Sequence, residues 1–106
     1  MSTKKIGVAE IEKEYGPLTF ARLLKSHREG EDLSQVEMAK RLGISRQSLN
    51  DLESGRKIPS IRRAINIAKT IGLLEDLMVQ LVLQDQVNKE NIKMRVTVKS
   101  APKKAS

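Results

Sequence analysis

Apolar residues recur at helical spacing along most of the chain and at a spacing of two near its end. Leu18, Ala21 and Leu24, with Phe20, follow the i, i+3, i+4 rhythm of a first helix ending near Gly30, with Pro17 in its first turn. Its outer face carries Arg22, Lys25 and Glu29. Val36, Ala39 and Leu42 give the inner face of a second helix. Ser34, followed three residues later by Glu37, forms a capping box at its start, and Gly43 stops it. Ile44 fills the turn, and Ser45 caps a third helix with Leu49 and Leu52 inward and Gly55 at its end. Ser60 opens a fourth, with Ile61, Ala64, Ile65 and Ala68 facing the core and Gly72 as the stop.

The pattern then changes twice. Residues 74–87 predict a fifth helix with two apolar stripes, Leu74, Leu77, Met78, Leu81 and Val82 on one and Val79, Leu83 and Val87 on the other. A helix so broadly apolar needs burial on two sides, which a second copy of the chain supplies. Ile92, Met94, Val96 and Val98 alternate with Lys93, Arg95, Thr97 and Lys99, which predicts a strand. A lone strand lacks a ladder partner in a helical chain, so pairing across a homodimer is expected, with Leu77, Leu81, Met94, Val96 and Val98 at the seam. The expected fold is all-α, five helices with a short C-terminal β-strand. Residues 1–16, where Val8, Ile11 and Tyr15 make only a thin face, read as a flexible arm. Residues 17–72 form the helical domain, 73–99 the dimerisation helix and strand, and 100–106 a disordered basic tail.

Composition agrees with one small helical domain of 106 residues, since Tyr15 and Phe20 are the only aromatics. There is no cysteine, no apolar run of about 18 residues that could span a membrane, and no apolar leader at the N-terminus. An intracellular protein is expected. Charge placement adds more. Residues 34–63 carry Lys40, Arg41, Arg46, Arg56, Lys57, Arg62 and Arg63 against Glu37, Asp51 and Glu53, and residues 89–106 are also strongly basic. Glu75, Asp76 and Asp85 between them have no basic neighbour in residues 73–88. Within a net charge of +7, this layout favours a polyanion at the second and third helices and at the tail.

Residues 34–55, two short helices around a tight turn, have the make-up of a helix-turn-helix DNA reader. Gln35, Ala39, Gly43, Ile44, Leu49, Leu52 and Glu53 stand at the spacing of one family without a gap. Residues 18–72 resemble the Xre or Cro/C1 class of phage repressors and their bacterial relatives. The resemblance implies that the third helix enters the major groove with Ser45, Arg46, Gln47 and Asp51 facing bases. Arg46 suits guanine and Gln47 adenine. Asp51 is repelled by phosphates, so it either accepts from a cytosine amine or orients Arg46 or Gln47 from one turn away. The resemblance also implies a phosphate contact from Gln35 and an ion pair between Arg28 and Glu53. Asn50, Arg56, Lys57, Ser60 and Arg62 are further candidates for the DNA backbone.

Other chemistry is sparse. His27 is the sole histidine and reads as a surface residue, so no metal site or cofactor is expected. The methionines read as core or interface filler. No glycine-rich phosphate loop, nucleophile elbow or paired-carboxylate site is present, and an enzyme is not expected. The leading expectation is a homodimeric transcriptional repressor on a near-palindromic double-stranded DNA site, in the bacterial cytoplasm and on the nucleoid when bound. The alternative is an antitoxin of the same family that neutralises a toxin protein and autoregulates its operon. A controller of a restriction-modification system differs from the first only in its neighbouring genes.

Overall fold

Short polar caps set the limits of the helices in the computed structural model, which describes residues 17–102. Five helices follow one another: α1 Phe20–Gly30, α2 Gln35–Leu42, α3 Arg46–Ser54, α4 Ile61–Ile71 and α5 Glu75–Lys89. At α2 the capping box is complete, with the Glu37 N–H donating to Ser34 Oγ at 3.1 Å and the Ser34 N–H donating to Glu37 Oε1 at 2.9 Å. Ser45 and Ser60 accept from Ser48 N–H and Arg63 N–H in the same way. Gly43 ends α2 at φ 68°, a left-handed conformation that a Cβ makes costly, and lets the chain turn within one residue. The start of α1 differs from expectation. Thr19 is the cap, accepting from Arg22 N–H at 3.1 Å, and Pro17 precedes the helix.

The fully buried large side chains are Phe20, Leu24, Met38, Leu49, Met78 and Val82. Around them α1 packs on α3, α2 on α3 and α4, and α5 on α4 and α1. Two inward faces are rotated from their predicted phase. Val36 is 60% exposed while Met38 is fully buried, and Ile61 is 42% exposed while Ile67 is buried. In α2 the buried pair Met38 and Ala39 sets the phase, which turns Val36, two residues before Met38, to solvent.

The C-terminal expectation needs the largest correction. No strand forms among the described residues, and residues 94–100 run back along α5. The Val96 N–H donates to Gln84 Oε1 at 2.7 Å, Gln84 Nε2 donates to the Met94 carbonyl at 2.8 Å, and the Val98 N–H donates to Gln80 Oε1 at 3.0 Å. Ser100 Oγ donates to the Asp76 carboxylate at 2.6 Å. Two residues of extended chain span about 6.7 Å and four residues of helix about 6 Å, so successive partners stay in step. The alternation therefore marks an extended segment whose ladder partner is a row of side chains on a helix. Leu81, expected at a dimer seam, lies in the protomer's own core, and Leu77 packs half-buried against that core. The chain itself thus covers part of the second side of α5. The N-terminal arm and residues 103–106 fall outside the described residues.

Candidate nucleic-acid interface

The reading helix α3 is held from behind. Leu49 is fully buried, and Leu52 and Ala39 are nearly so. Ala39 leaves room for α3 to approach α2, and Ile44 packs half-buried into the turn. Glu53, 8% exposed, is the one buried charged residue among those described. Arg28 on α1 meets it with both arms of its fork, Nε to Oε2 at 2.7 Å and Nη2 to Oε1 at 3.0 Å, and Nη1 reaches the Leu33 carbonyl at 2.8 Å. The hydrogen bonds to Glu53 raise the Arg28 pKa above its ordinary value. Every polar atom of this buried pair finds a partner, and α1 and α3 are locked together.

This anchor leaves the first turn of α3 in solvent. Ser45, Arg46 and Gln47 are exposed, at the helix end that reaches base edges in a docked helix-turn-helix. Asp51, one turn on, has a side chain only 13% exposed. It accepts from Gln47 Nε2 at 3.1 Å and Arg56 Nε at 3.1 Å, and Lys57 Nζ lies 3.7 Å from its other oxygen. Of the two roles expected for Asp51, orientation of Gln47 is the one visible in the free protein. The same carboxylate gathers Arg56 and Lys57, a link that sequence spacing did not suggest.

Arg56, Lys57, Ser60 and Arg62 are exposed along the loop and the start of α4. Ser60 Oγ is already occupied in capping that helix. Gln35 and Asn50 are half-buried and bonded to each other, with Gln35 Nε2 at 3.2 Å from Asn50 Oδ1 and at 3.2 Å from Glu53 Oε1. Sequence reasoning treated the two as separate phosphate contacts and missed this pairing. The shared polarity of positions facing each other across the turn was the only signal. His27 is half-buried, with Nε2 at 3.8 Å from Glu31. Among the described residues no group of acidic or histidine side chains could hold a metal ion, and no helix is long and apolar enough to cross a membrane.

Comparison with known proteins places this geometry. A family model described as helix-turn-helix matches residues 24–77. The chain is 44% identical over 68 residues to the ImmF control region 10 kDa protein of Bacillus phage phi105, covering 64% of this chain and 73% of the phage protein. It is 40% identical over 57 residues to an uncharacterized HTH-type transcriptional regulator of Methanocaldococcus jannaschii, covering 53% of this chain and 86% of that one. Among solved structures, an HTH_3 family transcriptional regulator from Vibrio cholerae superposes with a TM-score of 0.51 at 25% identity. That match covers 64% of this chain but only 37% of the Vibrio protein. With its family match spanning about half the chain, over the helices that hold and present α3, this protein belongs to the Xre or Cro/C1 type of helix-turn-helix transcriptional regulators, a family of DNA-binding proteins and not of enzymes.

Proposed function

We propose that this protein is a sequence-specific repressor that reads a near-palindromic operator as a homodimer in the bacterial cytoplasm. One observation carries the reading: the exposed donor-rich start of α3, anchored through Glu53 and rimmed by Arg56, Lys57 and Arg62. Arg46 offers a bidentate fork to guanine. Gln47, its nitrogen turned to Asp51, presents its oxygen to a base amine. The basic rim supplies the sequence-independent attraction to phosphates. Similarity to a phage control-region protein supports a regulatory role.

One short reading helix touches few base pairs, and two heads about 34 Å apart give a site long enough to be distinctive. Ile92 and Met94, 43% and 69% exposed, with Leu74 at 74%, supply apolar surface for the second copy beside the C-terminal segment. Selection from random duplexes is expected to enrich a site with two related halves. Arg46→Ala should lose about 1–3 kcal/mol of discrimination at one base pair in each half. No enriched motif, or unchanged preference in Arg46→Ala, overturns the reading. Sedimentation at micromolar concentration tests the dimer. An antitoxin would share this head, so recovery of a stoichiometric protein partner from the native host would favour that alternative.

A further inference from the structure

We propose that residues 94–100 are exchanged between two copies of the chain, each copy's segment lying in the seat on the other's α5. The exchange rests on the homodimer proposed above and is the means by which the two copies hold each other. In the closed chain the segment runs back along its own α5, and side chains of that helix bind its backbone. Gln84 accepts from the Val96 N–H and donates to the Met94 carbonyl, and Gln80 accepts from the Val98 N–H. Asp76 then takes the Ser100 hydroxyl. A second copy's segment carries the same residues and fits this seat equally well. The seat is therefore neutral between the two, and the hinge and the surface covered on exchange decide.

Residues 90–93 form the hinge, and all four are exposed. To close, the hinge puts Asn91 at φ 59°, a left-handed conformation that asparagine accepts more readily than most residues but not freely. The closed turn packs poorly. It stands over a cavity of about 590 Å³ lined by Leu18, Gln84 and Asn88, and it leaves Ile92 and Met94 43% and 69% exposed. Opening it gives up the bonds from the Asn91 and Ile92 N–H groups to the Asn88 and Val87 carbonyls, all at the end of α5. Four extended residues reach about 13 Å, more than the about 8–10 Å between the axes of packed helices, so the hinge can cross to a neighbouring α5. The two hinges then pass each other at the two-fold axis, where Ile92 and Met94 of one copy cover those of the second. Exchange thus buries the apolar side chains that the closed turn leaves in solvent, and it pairs segment with helix, not strand with strand.

The chain has no cysteine, so cysteines placed at two touching positions report which copy supplies the segment. Asp76→Cys and Ser100→Cys change exposed residues whose side chains meet at 2.6 Å. Full-length chains carrying one change each, mixed, equilibrated at micromolar concentration and treated with a short bismaleimide, should give a covalent heterodimer. The double variant should give a covalent homodimer. Hinge variants add a readout that leaves the seat untouched. Asn91→Pro cannot take the φ of the closed turn and Asn91→Gly takes it freely, so the dimer Kd measured by sedimentation should fall about tenfold in the first and rise in the second. A dimer in which the double variant crosslinks only within each chain, or a Kd that neither hinge variant moves, overturns the exchange while leaving the homodimer and the operator reading intact. A monomer at every concentration overturns the homodimer, and the exchange with it.

Discussion

Two carboxylates in the reading head have opposite tasks because their surroundings differ. Glu53 is buried against a guanidinium that satisfies both its oxygens. Glu53→Ala strands the Arg28 charge and should cost about 3–5 kcal/mol. Since a small domain has only about 5–15 kcal/mol in total, urea unfolding should show a large fall in midpoint. Asp51 is covered mainly by Gln47, Arg56 and Lys57, exposed groups that solvent also satisfies, and its removal should barely affect folding. It holds back Arg56, Lys57 and Gln47 from other partners. Asp51→Asn should therefore raise affinity for random-sequence DNA several-fold and steepen its salt dependence by about one phosphate contact. Preference at the base pair read by Gln47 should weaken, since an amide at position 51 orients it less firmly. Binding titrations at several salt concentrations on selected and random duplexes check both effects.

At the scale of the helices, most of what depends on a few adjacent residues was legible in the sequence, the Thr19 cap of α1 excepted. Ser34 with Glu37, Gly43, Ser45, Ser60 and Gly72 mark helix limits where the structure has them, because a cap is a contact within one turn. The pairing of Arg28 with Glu53 came through the family resemblance, and Arg46 and Gln47 are exposed where the resemblance sets them. Helix phase was less legible: Val36 and Ile61 are apolar but sit at the edge of a face that Met38 and Ile67 fill. The C-terminal segment shows a sharper limit. Alternation reports an extended backbone and does not name what pairs with it. Gln80 and Gln84, four residues apart on one face of α5, were the unused signal. Gln84→Ala removes the acceptor of the Val96 N–H and the donor to the Met94 carbonyl, both near the surface. Amide exchange at Val96 should accelerate at least tenfold while exchange in α1 to α4 stays unchanged, because those helices do not depend on the segment.

At the scale of the whole molecule, one contact joins the chain across 65 residues: the Phe20 N–H at the head of α1 donates to Asp85 Oδ2 on α5 at 3.2 Å. It holds α1, and with it Arg28, against the C-terminal half. The carboxylate is partly desolvated there, and burial raises its pKa above 3.8 despite the Phe20 hydrogen bond. Glu37 is shifted the other way, because hydrogen bonds within the Ser34 capping box lower its pKa. An acid whose pKa is raised on folding binds more protons in the native state. Its contribution to stability is therefore complete below 3.8 and is lost as pH rises from 3.8 through the raised value. Glu37 acts in reverse, its contribution present above 4.5 and lost as pH falls through its lowered value. Above both windows the ionised Asp85 is a standing cost, accepted for one capping bond. Asp85→Asn keeps an oxygen for the Phe20 N–H and removes the charge. Thermal midpoints measured from pH 3 to 8 should then rise for the variant at neutral pH relative to the parent, and the decline with rising pH that begins near 3.8 should flatten. A midpoint lowered at neutral pH but unchanged near pH 3, where the parent's carboxylate is also protonated, would mean instead that the charge itself, facing the free N–H groups of the first turn of α1, stabilises the junction.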